Sequence, residues 1–325
     1  LAGFESVMPE QRRAADLNQP LRELINWGVL TPIFDDEKMQ ALAVHSLVRD
    51  FCRDTLTKEN WRHHLLDAAA YFTNQTKLLG EYEKSPAAVF TEMEAFDLLY
   101  EAEEFEQAAD LLMDAHELIS RWGFNRYLES RYQLLFQKAD RKIESDLMHN
   151  YAVLLGHRGD YPTALEQYRK SLKINQDIGN KSGVASTLHQ IGMIHHDRGD
   201  YPAALEQYRK SLKIKQDIGD KAGMARSIHV IGSIYQDTGK LDKALQNYQK
   251  ALSVAEEIGD KSEVSMALHQ IGMIHHKRGD YPAALEHYDK SLKIKQDIGD
   301  KAGVATTLHQ IGMIHHDRGD YPAAL

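Results

Sequence analysis

Cysteine is almost absent from this sequence: Cys52 is the only one among 325 residues. A disulfide framework is excluded, and a reducing, cytoplasmic setting is expected. Long apolar runs are missing too. No stretch of about 18 apolar residues occurs, so no membrane span is expected, and mean hydropathy is −0.50. The opening Leu1-Ala2-Gly3-Phe4-Glu5 has no basic segment, no apolar segment and no initiator methionine, which excludes a secretory signal there. The closing Asp320-Tyr321-Pro322-Ala323-Ala324-Leu325 breaks off inside a repeated phrase. Both ends read as cuts, and a piece of a longer protein is expected. No nucleophile elbow, zincin motif, cysteine pair or G-x-x-x-x-G-K-[S/T] phosphate loop is found. No enzymatic activity and no cofactor are therefore expected of these residues.

Positive charge is scarce at the start. Residues 1–144 carry 16 Lys and Arg against 26 Asp and Glu, whereas residues 145–325 carry 23 against 22. The acidic excess gathers between Glu81 and Glu117 and reads as a solvated helix face. Neither part has the basic stripe that phosphate backbones require, so direct nucleic-acid binding is not expected.

Repetition is what the sequence has most of. The phrase around Gly192 returns at Gly232, Gly272 and Gly312, each 40 residues on, with an earlier copy aligned on Ala152. That makes four full units and a truncated fifth. In each unit apolar residues recur at helical spacing twice, as in Leu188, Ile191, Ile194 and then Ala204, Leu205, Tyr208, Leu212, Ile214. Gly199 stops the first helix, Asp200 caps the second, and Pro202 sits in its first turn, where a missing N–H costs little. Gly219 ends the second helix and Asp220 caps the next unit. Gly192 and Ala204 are small where two helices must approach. Helices of this length are marginal alone, and each hairpin buries its apolar face only against its neighbours.

The pattern Leu188, Ile191-Gly192, His195, Gly199-Asp200-Tyr201, Ala204, Tyr208 resembles the tetratricopeptide repeat, over about residues 145–325. The family's usual period is 34; the extra residues here fall around Gln216–Ala222. Forty-residue versions are similar to those of kinesin light chains, Pins-type polarity adaptors and many bacterial signalling proteins. One departure is His195, His275 and His315 in place of an inward aromatic, which Tyr235 keeps in its unit.

The resemblance implies that the first helices line a concave groove. The residues implied to face it are Ser186, His189, Met193 and His196; Arg226, His229, Ser233 and Gln236; Met266, His269, Met273 and His276; and Thr306, His309, Met313 and His316. This is a ladder of histidine and methionine with polar rungs, soft and adaptable through the thioethers. The chaperone-binding relatives clamp a C-terminal carboxylate with Lys and Asn at these places, which this sequence lacks. His189, Met193 and His196 stand at i, i+4, i+7, a spacing open to a soft metal. Only two imidazoles come from each helix, and neighbouring helices stand about 10 Å apart, so no metal is expected. A pH-sensitive groove is a further reading, because histidine titrates near neutrality. The partner expected is a protein or peptide.

Before the repeats, Leu21–Leu30 reads as a short helix. Thr31–Phe34 and Met39–Val44 bracket Asp35-Asp36-Glu37-Lys38 as a hairpin, and His45–Phe51 opens another helix. Helix, β-wing, helix is a winged-helix order. The stretch "LRELINWGVLTPI…ALAVHSLVRDF" resembles the winged-helix end of STAND-type ATPases, the NB-ARC- and NACHT-like switches. In that family a histidine senses the nucleotide; His45 matches its place, with Val44 and Ser46 where Met and Asp are usual. Trp61–Phe72 is an amphipathic helix, and Phe96–Tyr100 with Phe105–Leu112 reads as a degenerate hairpin without its glycines.

The expected architecture is thus mainly α: a winged-helix-like domain over 1–57, a helical linker over 58–144, and a solenoid of hairpins over 145–325. Two functions compete. In one, the repeats are the sensor of a STAND-type switch, binding a trigger on their concave face. In the other they are a plain scaffold joining protein partners. A DNA-binding winged helix is a weaker third reading, opposed by the acidic balance of residues 1–144. Cut array ends can also stack on each other, so self-association is a further expectation.

Overall fold

The computed structural model describes the backbone of residues 30–35 and 38–44, and residues 57–78 and 86–320. Two strands come first, β1 (Leu30–Asp35) and β2 (Lys38–Val44). They pair antiparallel, Asp35 opposite Lys38 and Leu30 opposite Val44, with an irregularity between Ile33 and Phe34. Asp35 and Lys38, which the sequence places in the turn, are the last paired residues of the two strands. Leu30, expected to end a helix, is instead the first residue of β1. The expected helices over 21–29 and 45–51, and His45 itself, lie outside the described residues. The hairpin is thus the one part of the winged-helix arrangement that is described.

Helices follow: α1 (Lys58–Leu78), α2 (Pro86–Glu101), α3 (Phe105–Arg121), α4 (Asn125–Leu135) and α5 (Arg141–His157). Contacts divide the chain into two units, residues 1–160 and 161–325. In the first, Trp61, Leu65, Phe72, Phe96, Leu99, Leu112 and Ile119 are buried. The turn between α2 and α3 uses Glu103 at φ +62 where later turns use glycine, so this hairpin forms despite a non-glycine in the left-handed region. Between α2 and α4, Arg131 reaches Asp97 with two nitrogens, at 2.8 and 3.1 Å, while its guanidinium lies 4.4 Å over the Tyr127 ring.

The second unit is regular: α6 (Tyr161–Asp177), α7 (Lys181–Asp197), α8 (Tyr201–Asp217), α9 (Lys221–Asp237), α10 (Leu241–Ile258), α11 (Lys261–Lys277), α12 (Tyr281–Asp297) and α13 (Lys301–Asp317). The length beyond a 34-residue repeat is absorbed by long helices, not by a long loop; each turn is about three residues. At the end of α7, Gly199 adopts φ +73. Its N–H reaches the His196 carbonyl and the Asp200 N–H the His195 carbonyl, both at 2.8 Å, which satisfies the helix's last acceptors. Asp200 then accepts from the Ala203 N–H at 3.2 Å, opening α8.

Each hairpin closes on one aromatic. Tyr208, Tyr248 and Tyr288 are fully buried, beside Ala204, Ala244 and Ala284. A Cβ on Gly192 would stand 2.9 Å from the Tyr208 ring, and one on Gly272 2.8 Å from Tyr288. Glycine is therefore required there for the approach of two helices.

Candidate functional site

The first helices touch each other, α9 with α11 and α11 with α13, while the second helices pack mainly on first helices. The sixteen residues named from sequence all sit on first helices.

Their exposure is uneven. Ser186, Met193, Arg226, Met266, Thr306, His309, Met313 and His316 are exposed, with Met193, Met266 and Met313 at 41, 42 and 41%. His189, His196, His229, Ser233, Gln236, Met273 and His276 are half-buried, and His269 is buried. Three of the four methionines are open to solvent, and Met273 is not. The first histidine of the first three rungs leans inward instead: His189, His229 and His269 pack on Tyr208, Tyr248 and Tyr288, with ring centroids 5.0, 5.1 and 5.2 Å apart. Burial lowers the pKa of His189 and His269 to about 4, helped by the cations Lys215 and Arg226 near the first and Lys295 near the second. Neither ring titrates near neutral pH, so the pH-sensitive reading finds no support at these two rungs.

Sequence reading missed what these rings lean on. His269 Nδ1 lies 3.2 Å from Thr307 Oγ1, which also meets Lys295 Nζ at 3.0 Å. His229 Nδ1 lies 2.7 Å from Glu263 Oε1. Lys215 Nζ donates to Ser227 Oγ at 3.0 Å. Lys215, Glu263 and Lys295 are 6, 2 and 5% exposed, and burial lowers the pKa of both lysines. The signal was present in the copies: positions 215, 223 and 227 are Lys, Gly and Ser; positions 255, 263 and 267 are Ala, Glu and Ala; positions 295, 303 and 307 are Lys, Gly and Thr.

In two rungs the last histidine ties successive first helices together. His196 Nε2 lies 3.0 Å from Asp237, and His276 Nε2 2.9 Å from Asp317. Where the histidine is Gln236, the residue 41 positions on is Lys277, so histidine and aspartate are kept or replaced together. His195, His275 and His315 stand 3.6, 3.3 and 3.5 Å from Asp200, Asp280 and Asp320, beside the cap of the following helix. Among the described residues no group of three or more His, Cys, Asp or Glu is placed to hold a metal ion, and no helix is long and apolar enough to cross a membrane.

Three solved structures are similar in fold. One is a signal transduction ATPase with numerous domains (STAND) protein with a tetratricopeptide repeat sensor, from Pyrococcus horikoshii: 15% identity, TM-score 0.58, covering 92% of this chain and 49% of that one. The chain thus spans about half the length of that protein. Another is aspartyl phosphate phosphatase F from Bacillus subtilis, with 13% identity, TM-score 0.58, and 86% of this chain and 71% of that one covered. The third is the apo form of RapI, with 14% identity, TM-score 0.53, and coverage of 82 and 72%. No curated protein matches the chain. The model of the tetratricopeptide repeat matches residues 144–217, 223–297 and 263–325, more than half of the chain, which therefore belongs to the tetratricopeptide repeat family.

Proposed function

We propose that the inner face of the 161–325 array is a non-catalytic binding surface for a protein or peptide segment, and that it serves as the sensing arm of a STAND-type switch. The observation that carries the binding half is the set of exposed apolar side chains, Met193, Met266 and Met313, on first helices that touch each other along the array. Exposed apolar groups aligned along one face favour association, and thioethers adapt to varied partners. Supporting the switch half are the fold shared over 92% of the chain with a STAND protein whose repeats are described as a sensor and the β1–β2 hairpin where a winged helix is expected. In that reading 1–57 is a winged helix with His45 as its nucleotide-sensing residue, 58–144 is a helical linker, and the repeats begin at 145. Trigger binding then has to discriminate between two states of the switch, since equal affinity shifts nothing. The scaffold reading is favoured by the equally good fold match to aspartyl phosphate phosphatase F.

The test of binding is to pan phage-displayed random peptides on the intact chain and measure the selected peptides against Met193→Glu/Met266→Glu. Loss of about tenfold or more in affinity is expected; equal affinity for both proteins removes the inner face as the site. The switch half is decided at the gene. A phosphate loop about one ATPase domain upstream of the codon for Leu1 supports it, and its absence leaves the scaffold.

A further inference from the structure

Two rung histidines are held by different chemistry, with the hydrogen on Nδ1 in both. At His229 the partner is the carboxylate of Glu263, 2.7 Å from Nδ1 and 3% exposed. A carboxylate only accepts, so Nδ1 carries the hydrogen. At His269 the partner is a hydroxyl, and a proton inventory decides. Thr307 Oγ1 lies 2.8 Å from the Gly303 carbonyl, which only accepts, and so the one hydroxyl proton goes there. Lys295 Nζ, which only donates, fills one lone pair of that oxygen at 3.0 Å. The remaining lone pair accepts from His269, 3.2 Å away, so its Nδ1 also carries the hydrogen.

The outer edge of each ring is left with one consequence. Nε2 of His229 and of His269 forms no hydrogen bond with the described residues and keeps contact with solvent. His269 shares its helical stripe with Met266 and Met273, and His229 shares its own with Arg226 and Ser233, at i−3 and i+4 in both cases. In a neutral ring with hydrogen on Nδ1, Nε2 is a bare acceptor. His189 supplies an internal contrast: its Nδ1 is buried with no partner, so nothing fixes its tautomer.

We infer that His269 is a tautomer-locked hydrogen-bond acceptor on the binding face, selecting a ligand segment that offers a hydrogen-bond donor there. Backbone N–H groups of an extended chain and the carboxamides of Asn and Gln fit; carboxylates do not, since they would meet a lone pair. This rests on the reading of the inner face as the binding site and adds the chemistry of its ligand.

The lock is measured without any ligand. Spectra of the intact chain labelled with 15N-histidine, recorded at pH 7.5, are expected to show an Nδ1–H, Nε2-bare ring at His269. Thr307→Val is expected to release it. An Nε2–H or doubly protonated ring at His269 in the unmodified chain overturns the lock. The ligand class is read from the panned peptides, where enrichment of Asn and Gln over Asp and Glu is expected, with affinity about fivefold weaker for Thr307→Val, the loss of about one hydrogen bond. Enrichment of acidic residues overturns the donor rule even with the tautomer in place. A panning that yields no binder removes the inner-face reading and the donor rule together, while the tautomer stands or falls on the spectra.

Discussion

His189 and His269 fold with pKa values lowered to about 4 from an ordinary 6.5, chiefly by burial. The folded state therefore takes up their protons later than the unfolded chain does. Stability rises with pH wherever the unfolded state binds more protons. The contribution of these rings is thus complete above about pH 6.5 and is lost as pH falls from there towards 4. Each ring is worth at most about 3 kcal/mol at the acid end, less for the half-buried His189. Urea unfolding of the chain at pH 7 and pH 5 is expected to show a smaller drop for His189→Asn/His269→Asn than for the unmodified protein; parallel drops would remove burial as the cause. The same scale holds a second test. The buried Nδ1 of His189 lacks a partner, yet Thr307 supplies one in the equivalent place at His269. Ser227 stands where Thr307 does, and a γ-methyl restricts the hydroxyl to fewer rotamers. Ser227→Thr is expected to raise stability by about 1 kcal/mol, read as a higher urea midpoint; an unchanged midpoint means that the hydroxyl does not reach the ring.

At the scale of elements, consecutive hairpins from α8 onward meet through two kinds of slot. In one, a buried lysine stem lies against glycine and its ammonium is taken up by a hydroxyl: Lys215, Gly223, Ser227, and again Lys295, Gly303, Thr307. In the other, alanines at 255 and 267 vacate that space and Glu263 occupies it, bonded to His229. A Cβ on Gly223 would meet the capping Asp220 carboxylate first and stand 2.9 Å from the Lys215 Cδ, so a side chain at that position displaces both. Gly223→Glu alone is expected to cost about 2–4 kcal/mol through overpacking and a displaced buried charge. Lys215→Ala/Gly223→Glu/Ser227→Ala, which transplants the whole second slot, is expected to regain most of it. If the triple variant is no more stable than the single one in thermal melts, the slots are not equivalent. Much at this scale was legible in the sequence. Helix ends followed from Gly199, Asp200 and Gly219, the close approach from Gly192, and the β1–β2 turn from four consecutive charged residues. The slots were not, because helical periodicity assigns a lysine to solvent, and only the joint change at three positions shows that it is buried.

The second unit as a whole is built from contacts between neighbours. Each hairpin packs on the one before and the one after, and the core is a series of small clusters around Tyr208, Tyr248 and Tyr288 instead of a single centre. In such an array stability is approximately a sum of local terms and nearest-neighbour terms, so damage stays local as long as the flanking hairpins retain one good interface. Gly272 provides the place to strike, since a Cβ there would stand 2.8 Å from the buried Tyr288 ring and 3.3 Å from the Ala284 carbonyl. Gly272→Ile forces α11 away from α12 with a branched side chain that has no room to rotate. Native-state hydrogen exchange on this variant is expected to show the largest loss of protection in α11 and α12. A smaller loss is expected in α10 and α13, which lean on them, and α7 and α8 should stay close to unmodified values. A uniform loss over the whole of 161–325 would mean that the array unfolds as one cooperative block, and that binding anywhere on its inner face is felt along its full length.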